Sequence, residues 1–300
     1  MQLLRSIFLL FKDALVKYFR DRASIYAAGL AYYMVFSLVP LLVFTTALAG
    51  LFIGRSAAGE QIALQLQFFL GGEMAGFITD AMDALMNRTM SATATVISII
   101  ILLFTAGGVF RQLRVAIDSI WGIVDVPPQN LRERLTVARY RVVPSLMVFV
   151  FGILLSLAMI LETVVRAIRS QVELLLPALA TIEPQIGRLL IPTLTFITFL
   201  LIFKFLPDAH SRWRDAAVGS LVTTILFLIG RVVLNIFLMF SSTGSIFGAA
   251  GSVVILLFWI YYSSQILLYG AEFTWLYAQR HGESIRPHRM ARIIETNQPD

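Results

Sequence analysis

A run of about twenty apolar residues marks a helix that crosses a bilayer, and this chain carries six such runs. They occupy residues 30–53, 92–109, 144–161, 189–205, 216–239 and 248–276. Each is of the length that a hydrocarbon core about 30 Å thick requires at roughly 1.5 Å of rise per helical residue. Helix is the form the bilayer demands, because hydrocarbon offers the backbone no hydrogen-bond partner. Composition points the same way. Of the 300 residues 58% are hydrophobic and 14% charged, where soluble chains run roughly 45–50% and about 25%. The expected fold is an all-α membrane protein, a six-transmembrane-helix bundle forming one domain over residues 1–300. Pro40 and Pro192 fall inside spans, where neighbouring helices satisfy the carbonyls they leave open.

Outside the spans the periodicity changes. Leu3, Leu4, Ile7, Phe8, Phe11, Leu15 and Tyr18 recur at helical spacing, with Arg5, Lys12, Asp13 and Lys17 opposite. Lys12 and Asp13 interrupt any signal-peptide core, and no small-residue cleavage site follows. An N-terminal amphipathic helix is expected, either on the membrane surface or packed against the bundle, since an apolar arc serves both. The connections at about 54–91 and 162–188 also read as amphipathic helices. Ile62, Leu66 and Phe69 mark the first, and Val165, Ile168, Val172 and Leu175 the second. These helical outer loops are expected to cap the bundle or lie in the outer interface. The turn at 240–247 is short, so the last two spans should form an antiparallel hairpin.

Lysine and arginine set the orientation. Arg5, Lys12, Lys17, Arg20 and Arg22 precede the first span. Arg111, Arg114, Arg132, Arg134, Arg139 and Arg141 lie between the second and third. Lys204, Arg212 and Arg214 join the fourth to the fifth, and Arg280, Arg286, Arg289 and Arg292 lie in the tail. The opposite side holds Arg55, Arg88, Arg166, Arg169 and Arg188, with Arg231 inside a span. This bias places both termini, including the 277–300 tail, in the cytoplasm. That answer needs an even number of spans, and hydropathy supplies six.

Ionisable and polar groups inside spans are costly and therefore mark candidate sites. Ser220, Thr224, Arg231 and Asn235 fall on one narrow arc of the fifth span. Tyr261, Gln265 and Glu272 form an edge on the sixth, and Tyr26, Tyr33 and Ser37 one on the first. These edges should face one another, as a substrate path or as the hydrogen-bonding glue of helix packing. Arg231 and Glu272 are too far apart in depth to pair. Arg231 is expected to turn toward Glu162 or a wet cavity, and Glu272 to meet arginines of the cytoplasmic loops. Small residues at Gly107–Gly108 and at 248–252 read as close helix contacts.

Catalytic chemistry is scarce. Cysteine is absent and there are three histidines, which leaves no thiolate chemistry and little for a metal centre. Asp208 and His210, beside Arg212, Arg214 and Asp215, read as a solvated interfacial loop. No GxGxxG, GxxxxGK[ST], HExxH or GxSxG pattern occurs. The chain is read as a non-enzyme without a cofactor. Its basic face is better matched to anionic lipid headgroups than to nucleic acid.

Three stretches resemble the signature segments of the YihY/virulence factor BrkB family: RDRASIYAAGLAYYMVFSLVPLL from Arg20, WRDAAVGSL from Trp213, and SIFGAAGSVVILLFWIYYSSQILLYGAEF from Ser245. The resemblance runs in the same order over nearly the whole chain. It implies a bacterial inner-membrane protein with six spans. Some members have been labelled ribonuclease BN, but this sequence lacks the His/Asp metal cluster such a nuclease needs. Others are linked with serum resistance or lipopolysaccharide export, which points to handling of an envelope amphiphile. Three functions are therefore carried forward: transport or flipping of a lipid, a non-transporting scaffold that recruits partners or anionic lipids, and, as a distant third, a membrane-tethered hydrolase or ribonuclease. A homo-oligomer or a protein partner is compatible with each. Reporter fusions at the two ends of the chain are expected to report from one compartment; signals from opposite compartments would contradict the count of six.

Overall fold

The computed structural model describes residues 2–70, 72–86, 107–125, 146–161, 163–164, 183–240, 249–281, 285–287 and 291–293. Its helices are α1 (Gln2–Arg20), α2 (Ala23–Ile53), α3 (Arg55–Leu70), α4 (Gly72–Met86), α5 (107–120), α6 (Leu146–Leu161), α7 (Glu183–Phe205), α8 (Trp213–Phe240) and α9 (Ala249–His281). Three stretches, Ala23–Ile53, Trp213–Leu234 and Val253–His281, are long and apolar enough to cross a membrane. Leu146–Leu161 and Pro192–Phe205 are shorter apolar helices. The expected second span lies mainly outside the described residues. Its end continues as α5 to residue 120, past the hydropathy limit at 109, where Arg114 and Asp118 pair one turn apart.

α9 is the hub, packing against α8, α2, α1 and α4. The main core gathers Leu30, Leu113, Ile117, Trp121, Phe203 and Leu268 from α2, α5, α7, α9 and the turn after α5. α3 and α4 bury Ile62, Leu66, Ile78 and Met82 with Ala31 and Ala49 of α2 and Leu256 and Ile260 of α9. The 54–86 segment thus lies along the flank of the bundle, where its apolar stripe finds a matching surface. Val165, Ile168, Val172 and Leu175 lie outside the described residues. Outward faces stay apolar: Tyr32, Phe36, Ile229, Val232, Val233 and Ile236 are exposed, as lipid-facing positions must be.

Of the two expectations for the N-terminal helix, packing against the bundle is the one seen. Leu10 and Ala14 pack with Phe273 of α9, while Phe8, Leu15, Val16 and Phe19 remain exposed. α1 turns into α2 through Arg22, the one non-glycine residue with positive φ (53°) among those described. Two short tail strands pair with strands earlier in the chain. β1 (Ile123–Asp125) pairs antiparallel with β4 (Ala291–Ile293), and β2 (Ala209–His210) with β3 (Arg286–Pro287).

Among the described glycines, those between α8 and α9 leave the least room for a side chain. A Cβ on Gly219 would meet the Thr274 hydroxyl at 1.8 Å, and one on Gly270 would meet the Thr223 hydroxyl at 1.9 Å. Further along, a Cβ on Gly230 would meet the Tyr262 hydroxyl at 2.7 Å. Partner numbers fall on α9 as they rise on α8, so the two helices run antiparallel. Gly219-x-x-x-Thr223 and Gly270-x-x-x-Thr274 are reciprocal small-residue motifs of the kind that let membrane helices touch. A Cβ on Gly108 would meet the Tyr33 ring at 3.3 Å, whereas the side chains of 249–252 lie outside those described. Gly219→Ala and Gly270→Ala are each expected to destabilise the folded protein by about 1–3 kcal/mol, the usual range for overpacking. Thermal melting in detergent checks this, with Gly59→Ala, whose added methyl meets open space, as the control.

Candidate functional site

Lys17 sits on the arc of α1 that also carries Leu10, Ala14 and Tyr18, all buried. Its ammonium donates to Asp21 Oδ2 at 2.5 Å, to the Ile120 carbonyl at 2.6 Å and to Glu272 Oε2 at 2.7 Å. An ammonium has three donors, and all three are engaged. It also lies 4.5 Å from the centroid of the Trp275 ring, a favourable seat for a desolvated cation. Glu272 is fully buried, and its Oε1 has no hydrogen-bond partner among the described residues.

Neighbouring groups tighten this knot. Trp121 Nε1 donates to the Ala271 carbonyl at 3.0 Å, and the Tyr269 hydroxyl donates to the Phe11 carbonyl at 3.0 Å. Burial, reinforced by nearby Tyr261 and Glu272, pushes the Tyr18 hydroxyl up to about 12. That phenol stays neutral at physiological pH. The expectation for Glu272 is corrected here: its charge partner is Lys17 of α1, not a loop arginine. A lysine reaches this site because α1 crosses the end of α9, bringing a cation within the protein rather than from a solvated connection.

A second ionic cluster holds the 206–212 turn. Arg114 lies 3.5 Å from Asp118 and pairs with Asp208. The Asp208 backbone N–H donates to Asp118 Oδ1 at 2.9 Å. Lys204 donates to the Ser211 carbonyl, and the Ser211 hydroxyl donates to the Phe203 carbonyl at 3.2 Å. The reading of this turn as a solvated loop is therefore corrected, because Asp208 is buried against an arginine that needs a carboxylate. His210 is exposed and pairs through β2 with Arg286.

The intramembrane polar edges are placed as follows. The hydroxyls of Ser220, Thr223 and Thr224 donate to the carbonyls of Ala216, Gly219 and Ser220, at 2.6, 2.7 and 2.7 Å. Ser264 and Thr274 do the same on α9, to Ile260 and Gly270. Ser37 is buried and donates to the Met34 carbonyl at 3.2 Å. Such back-bonding satisfies a hydroxyl within its own helix. Tyr26 shares a 2.6 Å hydrogen bond with Ser119, and Tyr33 rests on Gly108 while partly exposed. Tyr261 packs against the main core and Gln265 is half-buried. Asn235 lies on α8, with its side chain outside those described.

Arg231 lines a narrow crevice with Phe227, Leu234, Trp259, Tyr262, Ser263 and Ile266. Its walls are α8 and α9, and it is too narrow as it stands to admit a water-sized sphere. The expected partner Glu162 lies outside the described residues. Glu272 sits ten residues beyond Tyr262, roughly 15 Å along the helix, and serves the separate Lys17 knot.

Residues 14–294 match the protein family described as Virulence factor BrkB. A UPF0761 membrane protein of Teredinibacter turnerae is 26% identical over 97% of this chain and 65% of its own length. One from Rhodospirillum centenum is 24% identical over 88% of this chain and 56% of its own length. A third, from Coxiella burnetii, is 40% identical over a shorter segment, 26% of this chain and 28% of its own length. The chain thus spans less than two thirds of the first two relatives. No solved structure matches it.

The Lys17 knot missed by sequence reasoning has one visible signal. Lys17 lies about 140° around α1 from Lys12, on the arc of Leu10, Ala14 and Tyr18. Lys17→Met is expected to destabilise the protein by about 3–5 kcal/mol, because it leaves Glu272 buried without its cation. Lys17→Met combined with Glu272→Leu should recover most of that loss. A double-mutant cycle of melting temperatures in detergent checks the coupling, and additive losses would contradict it.

Proposed function

This chain belongs to the Virulence factor BrkB family, and on that footing we propose that it moves a lipid or other envelope amphiphile between membrane leaflets. It does so as a six-span protein of the bacterial inner membrane with both termini in the cytoplasm. The three long apolar helices, the shorter Leu146–Leu161 and Pro192–Phe205, and the apolar run at 92–109 make up the six. Its partners are membrane lipids, with no role for nucleic acid, and it works without a cofactor and without enzymatic chemistry.

One observation carries this reading. Arg231 lies in the wall of a crevice between two membrane-crossing helices, with Trp259, Tyr262 and Ser263 around it. Ile229, Val232, Val233 and Ile236 beside it on α8 are exposed toward lipid. A cation at that depth is functional by default, and an anionic headgroup is the amphiphile part that complements it. Energy would come from a gradient, a partner or downhill flow, since no nucleotide-binding loop is present.

The scaffold reading is favoured by a different observation: the hydroxyls of Ser220, Thr223 and Thr224 are satisfied within α8. Exchange of a fluorescent lipid between leaflets of reconstituted liposomes separates the two. Transport is expected to accelerate exchange, with Arg231→Ala slowing it at least about tenfold, or ~1.4 kcal/mol in the barrier. Gln265→Ala should also slow it, and Arg231→Lys should keep part of the rate. A folded wild-type protein that leaves exchange at the rate of empty liposomes supports the scaffold.

A further inference from the structure

We propose that the end of the bundle where α1, α8 and α9 meet is a docking collar for anionic phospholipid headgroups, with the outer face of α1 set among the acyl chains. The collar is independent of leaflet exchange. α1 has two faces. Leu10, Ala14, Lys17 and Tyr18 are buried toward the bundle, while Phe8, Leu15, Val16 and Phe19 are 69%, 48%, 58% and 68% exposed. Phe8, Lys12, Leu15 and Phe19 fall within about 60° of arc. A lysine among exposed phenylalanines fits an interfacial helix, its stem along the apolar layer and its ammonium at the phosphates.

Among the described residues at this end, the carboxylates are paired with cations or buried. Asp13 pairs with Arg280, Asp21 and Glu272 with Lys17, and Asp118 and Asp208 with Arg114. Asp215 is buried. Arg20 pairs with Asp21 at 3.4 Å, and the exposed cations left among the described residues include Lys12, Arg22 and Arg214. An anionic lipid surface complements that set, each nearby cation adding to the attraction.

The start of α8 adds an aromatic anchor. Trp213 is 55% exposed, its ring 5.7 Å from that of Phe205 and under the Lys204 ammonium at 5.3 Å. Tryptophan prefers the headgroup level of a bilayer. α1 adjoins this point, since Leu10 and Ala14 share a cluster with Val218 and Val222 of α8. A second copy of the chain is a poorer occupant, because a two-fold contact would set the cationic collar against itself.

Trp213 provides the test. The full chain is reconstituted in phosphatidylcholine vesicles containing brominated phosphatidylglycerol or brominated phosphatidylcholine, and the quenching lost in Trp213→Phe is measured. Quenching by the anionic lipid should exceed that by the zwitterionic lipid several-fold at low salt and converge at high salt. Lys12→Gln, Arg22→Asn and Arg214→Gln should each lower the preference and together bring it to parity, with melting temperature and helix content unchanged. Asparagine is chosen at 22 because it tolerates the left-handed backbone there. Equal quenching by the two lipids, or a preference that survives all three substitutions, overturns the collar. A cross-linked dimer abolished by Phe8→Ser with Phe19→Ser would also overturn it by assigning that face to a second copy.

Discussion

An ammonium taken out of water must find three acceptors, and meeting that demand for Lys17 organises one end of this protein. The acceptors come from three places: Asp21 in the joint between α1 and α2, the Ile120 carbonyl at the end of α5, and Glu272 on α9. No two of them are adjacent in sequence. The cation therefore fixes how three chain segments meet, and Trp275 and Trp121 close the space around them. Arg114 does the same for α5 and the turn after α7 through Asp118 and Asp208. Ionic contacts among the described residues gather at this end, while the middle of the bundle relies on shape.

That middle follows from the solvent. Hydrocarbon gives helices no hydrophobic reason to associate, so close packing and satisfied hydroxyls must hold them. Gly219 and Gly270 remove the side chains that would keep α8 and α9 apart, and Thr223 and Thr274 fill the space so made. The threonine hydroxyls return to carbonyls one turn back, which leaves their methyls and backbones to make the contact.

What the sequence disclosed, it disclosed through lipid. Apolar length alone placed α2, α8 and α9, because the bilayer sets the length that each must have. Ile62 and Leu66 of α3 are buried as their spacing suggested, but α3 is not cleanly amphipathic, since Gln61 is buried beside them and Leu64 is exposed. The pairing of Lys17 with Glu272 was not, since 255 residues separate them and hydropathy treats any charge near a boundary as solvated. Asp208 was misjudged on the same ground. The Gly219 and Gly270 contact was written in two four-residue spacings that carry no polarity, so a search for polar edges passed over them. The pairing of 286–287 and 291–293 was hidden because strands of two or three residues show no periodicity.

The Gly219–Thr274 and Thr223–Gly270 approach leaves α8 and α9 no room to draw nearer at that level, and their separation there is fixed by backbone against side chain. Any widening around Arg231 must accordingly occur as a rocking of the two rods about this fulcrum. The arm from Gly219 to Arg231 is twelve residues, roughly 18 Å. A tilt of a few degrees at the pivot is thus amplified into about an ångström of displacement at the crevice, so the Gly219–Thr274 contact also sets the leverage of Arg231.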